Sequence, residues 1–138
     1  MPVDGLFVLD SCAVVALLQR EPGSEVMAEI LRNPHNRCII HAVNVCEVYY
    51  DIYRRSGEED ASALEEILKT TGVESVETIP SALWRVAGKL KAEWRRVSLA
   101  DCFALGLTIL ENGSLLTSDH HELDPIAQAA ICPVRFIR

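Results

Sequence analysis

Four acidic residues stand inside or directly beside stretches of the chain that are otherwise apolar: Asp10, Glu47, Asp101 and Asp119. A buried carboxylate costs free energy unless a proton, a hydrogen-bond donor or a cation offsets its charge. If the fold brings the four together, each pair of like charges about 5 Å apart costs roughly 3 kcal/mol at an effective dielectric constant of about 20. Oxygen ligands suit hard cations such as Mg²⁺ or Mn²⁺. The acids therefore indicate a divalent-cation site, provided that the chain places them side by side.

Three of these acids also have an ordinary structural explanation. Asp10 directly follows an apolar run, Asp119 follows another through Ser118, and either could simply cap the next helix. Asp101 is the third residue after Ser98, a spacing that resembles a capping box. The sequence leaves both the capping and the metal-binding interpretation open for each of them.

The fourth acid, Glu47, shares one polar stripe with Asn44 and Asp51 on a predicted helix whose remaining surface is apolar. Such a stripe faces either solvent or a polar groove, and solvent is the commoner arrangement. Asp124 is a fifth candidate, although Asp before Pro is a common turn residue.

Strand and helix patterns alternate along the chain. Short apolar or alternating runs predict strands over residues 6–9, 38–40, 73–79, 115–117 and 134–137. Helical signals predict helices over residues 11–18, 24–32, 42–55, 58–70, 80–94 and 98–112, and a short helix at 125–130. Ser11 is the expected N-cap of the first helix, and His120 and His121 are expected in a loop.

This alternation predicts one α/β domain over residues 1–138, with a central parallel sheet of about four to five strands and helices on both faces. In such sheets ligands bind at the carboxyl ends of the strands. Asp10 and Asp119 therefore share one crevice if the strands that precede them are neighbours.

Composition limits the class of protein. With 138 residues, 49% hydrophobic and 24% charged, the chain matches one ordinary globular domain. The longest apolar run, residues 12–18, is much shorter than the roughly 20 residues of a bilayer span. Residues 1–4 lack the basic lead and apolar core of a signal peptide, so we expect a cytoplasmic protein without membrane association. Five cysteines without a C-x-x-C pair indicate reduced thiols, most of them small core residues.

The net charge of −7 argues against broad, non-specific coating of nucleic acid. It does not exclude a nuclease, because carboxylates that bind metal also add to the acidic count. A phosphoryl-transfer enzyme with an aspartyl nucleophile fits poorly. Asp10 is followed by Ser11 and Cys12 rather than by a second nearby acid, and residues 117–137 contain no lysine.

The order of these segments resembles the PIN-domain nucleases, and within them the VapC toxins of type II toxin–antitoxin pairs. The matching segments are LDS at 9–11, NVCE at 44–47, ADCFAL at 100–105 and LLTSD at 115–119, and the likeness extends over residues 7–136. The resemblance implies a metal-dependent endoribonuclease whose catalytic and metal-binding residues are Asp10, Glu47, Asp101 and Asp119 around Mg²⁺ or Mn²⁺. It also implies auxiliary roles for three further residues: Ser11, Thr117 and Asp124.

The same resemblance implies an RNA substrate, a small cognate antitoxin and a homodimer. Exposed aromatic residues such as Tyr50, Tyr53 and Trp84 could provide contacts with partners, whereas core packing is the expectation for Tyr49. Two alternatives stay open, namely a non-catalytic interaction module with the same fold and a PIN nuclease that processes RNA without a toxin role.

Substrate binding needs cations outside the acidic site. Arg85, Lys89 and Arg96 share one stripe of the predicted helix 80–94 and its continuation, just before Asp101. Such a stripe is more often only a solvated face, but it could hold an RNA backbone. A second option is the pair at 54–55, both arginines.

Overall fold

The computed structural model describes residues 3–138. Met1 and Pro2, which begin the segment that lacks signal-peptide character, lie outside the described residues. Within the described residues the strands are β1 (Leu6–Leu9), β2 (Arg37–His41), β3 (Val73–Val76), β4 (Ser114–Thr117) and β5 (Val134–Phe136). They pair in parallel in the order β3-β2-β1-β4-β5, which confirms the predicted parallel sheet.

The central strand, β1, determines which residues meet at the edge of the sheet. Leu9, its last residue, is paired with Ile40 of β2 and with Leu116 of β4. Because all strands run in the same direction, the residues that follow β1 and β4 emerge side by side. The strands that precede Asp10 and Asp119 are therefore neighbours, as the prediction of a shared crevice requires.

Helices cover both faces of this sheet. They are α1 (Ser11–Leu18), α2 (Ser24–Arg32), α3 (Ala42–Ser56), α4 (Glu58–Ser62), α5 (Leu64–Thr71), α6 (Ser81–Glu93), α7 (Leu99–Glu111) and α8 (His120–Gln128). Successive strand residues alternate between two cores: Val8 packs with residues of α6, α7 and α8, whereas Leu9 packs with residues of α1, α2, α3 and α5. Burial on both faces explains why the strands contain continuous apolar runs.

Three predicted elements differ from the structure. The helix expected over 58–70 is divided into α4 and α5, because the N–H of Ala63 bonds the carbonyl of Asp60 (3.2 Å) and tightens that turn. Strand β3 ends at Val76 instead of 79, because Val76 pairs with His41, where β2 also ends. The last helix begins at His120 instead of 125, so His120 and His121 lie in its first turn and not in a loop.

All five cysteines are free thiols. Cys38, Cys102 and Cys132 are buried, as expected of small core residues, whereas Cys46 is exposed and Cys12 is half-buried. Among residues 3–138, no helix combines the length and the apolar character that a bilayer crossing requires.

Candidate functional site

Asp10 and Asp119 enter one crevice at the carboxyl edge of the sheet. Asp10 is fully buried, and its N–H bonds the carbonyl of Leu116 at the end of β4 (3.3 Å). The hydroxyl of Thr117 donates to Asp10 Oδ2 and accepts the N–H of Asp119 (3.0 Å). Thr117 therefore connects the two acids directly.

Asp10, and not Ser11, is the N-cap of α1. Its Oδ1 accepts the N–H of Ala13 at 2.8 Å. The predicted cap at Ser11 is wrong because Ser11 is already the first residue of α1, whereas Asp10 has the extended conformation of a capping residue. Ser11 instead donates a hydrogen bond to the carboxylate of Glu47.

A third acid, Glu122, joins the site although the sequence interpretation did not include it. Asp119 caps α8 by accepting the N–H of Glu122 at 3.1 Å, which brings Glu122 back over the crevice. Carboxylate oxygens of Asp101, Asp119 and Glu122 all lie within 4.8 Å of one another. The sequence does contain a signal for Glu122. Asp119 and Glu122 have the same capping-box spacing that indicates a helix start at Ser98.

Asp101 reaches the same cluster from the start of α7. Ser98 caps this helix by accepting the N–H of Asp101 at 3.1 Å, as the sequence predicts. The Asp101 side chain is buried and hydrogen-bonded to Glu122. Asp101 therefore lies in the first turn of α7 and belongs to the acidic cluster at the same time.

The polar stripe of α3 faces the protein interior instead of solvent. Asn44 is fully buried, and both Glu47 and Asp51 are half-buried. Within the described chain, neither polar atom of the Asn44 amide has a hydrogen-bond partner, and neither does Glu47 Oε1. The outer face carries aromatic residues, so Tyr49 is 38% exposed and the expectation of core packing for it is wrong.

Burial dominates the electrostatics of the site. Burial, together with the smaller effect of the charges of Asp119 and Glu47, raises the pKa of Asp10 to about 7, against the opposing hydrogen bonds from Thr117 and Ala13. Burial also raises the pKa of Asp101, and the hydrogen bond with Glu122 and the charges of the nearby carboxylates raise it as well. Asp10 and Asp101 therefore keep a proton more readily than ordinary carboxyl groups unless a cation neutralises them.

Two neighbouring groups, Glu47 and Cys12, also have raised pKa values. Burial raises the pKa of Glu47, although the hydrogen bond from Ser11 lowers it. Cys12, next to Asp10, has its pKa raised to about 12 by burial and then by the charges of the surrounding acids. This thiol is therefore not a nucleophile at neutral pH.

The donor set fits a hard divalent cation. Asp101, Asp119 and Glu122 offer only oxygen atoms, and the distance of 4.8 Å or less between them allows one ion to contact all three. Asp119 and Glu122 are half-buried, so the cluster is accessible from one side. Asp10 and Glu47 contribute further negative charge from the neighbouring elements.

Several predicted residues lie outside this cluster. Asp124 forms an ion pair with His120 on the surface (2.7 Å) instead of joining the acids. Arg85 lies over the ring of Trp84 on α6, with 5.2 Å to the ring centroid, and Lys89 is exposed on the same helix. Arg96 does not share their helical stripe, because α6 ends at Glu93 and Arg96 belongs to the following loop.

Comparisons with known proteins agree on the fold. The family model described as PIN domain matches residues 7–127. No curated protein matches the chain in sequence. Among solved structures, DNA-bound VapBC from Salmonella typhimurium aligns with a TM-score of 0.72 and 17% identity, covering 96% of this chain and 98% of that chain.

Two further structures align similarly. VapBC2 from Rickettsia felis, bound to a promoter DNA fragment, gives a TM-score of 0.71 at 17% identity, covering 95% of this chain and 98% of that chain. VapC20 from Mycobacterium tuberculosis, a toxin that cleaves the sarcin-ricin loop, gives 0.69 at 17% identity, with 86% and 94% covered. At these identities the likeness concerns the fold alone.

Proposed function

This chain belongs to the PIN domain family, and from that premise we propose that it is a divalent-metal-dependent endoribonuclease acting as the VapC-type toxin of a toxin–antitoxin pair. One observation supports the catalytic part of this proposal. Carboxylates from separate elements converge at the carboxyl edge of the sheet, and three of them approach within 4.8 Å. Burial raises the pKa of Asp101 in this cluster and of the neighbouring Asp10, which supports a role that requires a cation.

In this proposal Asp101, Asp119 and Glu122 would hold the cation, and Asp10 and Glu47 would complete the acidic surroundings. When bound, Mg²⁺ or Mn²⁺ would supply Lewis acidity, which lowers the pKa of water and offsets negative charge on the phosphate. Hydrolysis adds water across a P–O bond, so one product retains the phosphate and the other regains a hydroxyl group.

Hydroxyl groups of the chain keep these carboxylates oriented. Thr117 donates to Asp10, while Ser11 donates to Glu47. Each bond lowers the pKa of its carboxyl and so favours the ionised form that a cation binds. Thr117 and Ser11 are therefore proposed as positioning residues and not as ligands.

The toxin role and the antitoxin partner are supported by the likeness to structures of VapBC complexes and of a toxin–antitoxin complex from Klebsiella pneumoniae. Tyr49, Tyr50 and Tyr53 form an exposed aromatic face on α3 that is available for such a partner or for a second copy of the chain. Co-expression with the product of a neighbouring short reading frame, followed by inhibition assays, tests this part.

The direct test is incubation of the purified protein with total RNA, with and without Mg²⁺ or Mn²⁺, followed by mapping of new RNA ends. We expect cleavage that requires the metal and is lost in Asp10→Asn. Asn can still accept the N–H of Ala13, so this variant keeps its helix cap. Asp60→Asn, which removes an exposed acid of α4, is the matched control. Cleavage that persists in Asp10→Asn contradicts the proposed site.

Calorimetric titration with Mn²⁺ distinguishes the enzyme from a non-catalytic module with the same fold. We expect the wild-type protein to bind Mn²⁺ and to release protons, because Asp10 and Asp101 retain protons near neutral pH without a cation. Absence of measurable binding would favour the module.

A further inference from the structure

Lys91 lies in the last turn of α6 and directs its ammonium group into the loop that follows, residues 94–98, which we call the α6–α7 loop. Its Nζ donates to the carbonyls of Arg95 (2.9 Å) and Val97 (2.8 Å). A lysine near a helix C-terminus commonly bonds the last carbonyls of its own helix, which have no intrahelical partner. Lys91 instead bonds two carbonyls beyond the end of the helix, so it ties the loop back onto α6.

The α6–α7 loop leads directly into the acidic cluster. At its end the Ser98 hydroxyl accepts the N–H of Asp101 (3.1 Å), and the Ser98 carbonyl accepts the N–H of Cys102 (2.9 Å). Val97, whose carbonyl Lys91 binds, comes immediately before Ser98. The place where the loop holds Ser98 therefore determines the direction of the first turn of α7 and the position of the Asp101 carboxylate.

The same loop also borders the cluster from the side of α8. Residues 93–97 line a groove of about 340 Å³ together with His121, Glu122 and Pro125. Glu122 shares a hydrogen bond with Asp101. A displacement of the loop would therefore change the surroundings of two acids of the cluster at once.

The charge of Lys91 also reaches this part of the molecule. Burial, with a smaller contribution from the charges of Asp101 and Glu122, raises the pKa of the Cys102 thiol to about 11, against the opposing charge of Lys91. One sulfur atom thus lies within electrostatic reach of the ammonium group and of both carboxylates. The two properties of Lys91 have opposite effects on a metal site, because a positive charge repels a second cation, whereas a fixed loop keeps a ligand in place.

We propose that Lys91 is a positioning residue of the metal site: by tying the α6–α7 loop to α6, it holds the Asp101 carboxylate where the acidic cluster binds a cation. The hydrogen bonds of Lys91, and not its charge, are the cause. This inference rests on the proposed function, because it concerns the same metal site, and it adds a residue outside the acidic cluster on which that site depends.

Two other roles of Lys91 make different predictions. If it serves only to stabilise the fold, its loss lowers the urea midpoint but leaves the affinity of the folded protein for metal unchanged. If its charge dominates, its loss tightens the binding of a cation, because a repulsive charge is removed. Weaker metal binding by a protein that is still folded is the result that the positioning role predicts.

The test is calorimetric titration of the folded wild-type protein and of Lys91→Met with Mn²⁺. Met keeps an unbranched, flexible side chain but has neither the charge nor the three donors of the ammonium group. We expect the Kd for Mn²⁺ to rise about tenfold, the lower end of the effect of losing a group that orients a metal ligand. Lys91→Arg keeps a cation and several donors on a longer, planar group, so its Kd should lie between those of the wild type and Lys91→Met.

Lys69→Met is the matched control for the loss of a lysine. Lys69 is exposed on α5, where it pairs with the exposed Glu65 (3.9 Å). Its replacement removes the same charge and the same donors from a helix that does not contribute to the acidic cluster. The Kd for Mn²⁺ should therefore stay at the wild-type value.

Amide hydrogen exchange, followed by NMR in EDTA, tests the position of Asp101 without metal or RNA. In Lys91→Met the amides of Asp101 and Cys102, which both bond to Ser98, should exchange faster than in the wild type. Amides at 105–108, farther along α7, should keep their protection. Ser98→Ala removes the hydroxyl that binds the Asp101 amide, so it should accelerate exchange at Asp101 as well and weaken Mn²⁺ binding in the same direction.

The inference is overturned if folded Lys91→Met binds Mn²⁺ as tightly as the wild type or more tightly, or if its Asp101 amide exchanges at the wild-type rate. Equal weakening in Lys69→Met also overturns it, because the loss of any lysine would then be sufficient. Its failure is distinct from that of the proposed function. A wild-type protein that binds no Mn²⁺ refutes the metal site itself, whereas wild-type Mn²⁺ binding and RNA cleavage by Lys91→Met refute only the role of Lys91.

Discussion

Replacing Asp10 by Asn should stabilise the metal-free protein at neutral and higher pH, although the same change should abolish cleavage. Burial raises the pKa of Asp10 from 3.8 to about 7. The folded protein therefore keeps a proton that the unfolded chain loses above about pH 4. Stability linked to this group is fully present below that pH and is lost as the pH rises through about 7.

The size of the effect follows from the shift. One pKa unit corresponds to about 1.4 kcal/mol, so a rise of about three units corresponds to about 4 kcal/mol of lost stability once both states are ionised. Asp10 is fully buried, so solvent does not screen this cost. Asn carries no charge and can keep the hydrogen bond from Ala13, so it avoids the desolvation cost while preserving the cap.

Urea unfolding in EDTA over a range of pH measures the prediction. The free energy of unfolding of Asp10→Asn should match the wild type near about pH 4 and exceed it by up to about 4 kcal/mol near about pH 8. Loss of the Asp10 charge also relieves Asp101, which shifts the difference in the same direction. Adding Mn²⁺ should stabilise only the wild type. Parallel stability curves for the two proteins would refute the reasoning.

Three further changes have defined outcomes. Glu122→Gln should lower the cleavage rate by about 10-fold to 100-fold. Asp124→Asn should not lower it, because only Glu122 lies with the other acids. Equal rates for the two variants would contradict this placement of Glu122. Thr117→Val should raise the pKa of Asp10 further and shift the acidic limb of the kcat/KM profile to higher pH, while Thr117→Ser should leave it in place. Asn44→Leu should leave the urea midpoint unchanged or raise it, since an unpartnered buried polar group costs about 1–3 kcal/mol, and a lower midpoint would show that the amide has a partner.

The sheet could be predicted because burial on both faces leaves a simple trace in the sequence. Continuous apolar runs identified β1 and β4, and their parallel pairing then brings Asp10 and Asp119 together. The helix cap at Ser98 could also be predicted, because it depends only on residues a few positions apart in the sequence.

Helix α3 shows where sequence patterns mislead. The usual rule assigns the polar stripe to solvent, but here the interior that α3 faces is an acidic crevice. Asn44 and Glu47 therefore turn inward, and Tyr49, Tyr50 and Tyr53 remain outside. No property of α3 alone carries this information, because the polarity of its neighbours comes from β1, α7 and α8.

The start of α8 was missed for a related reason. Pro125 is a good first-turn residue, so it outweighed the Asp119-x-x-Glu122 capping spacing in the sequence. The structure uses the cap, and α8 continues through Pro125. This shift of five residues is what moves Glu122 from an unremarked loop position into the acidic cluster.

Capping and metal binding were alternatives in the sequence, but they are compatible in the structure. Asp10 caps α1, Asp119 caps α8, and Asp101 lies in the first turn of α7. Three helix N-termini, each carrying partial positive charge, therefore point toward the same cluster of acids. They counteract part of the desolvation cost that raises the pKa of Asp10 and Asp101, so these helix N-termini would also favour the ionised carboxylates that a cation binds. A carboxylate without such donors would be harder to ionise at this depth, and this is why the caps are part of the site.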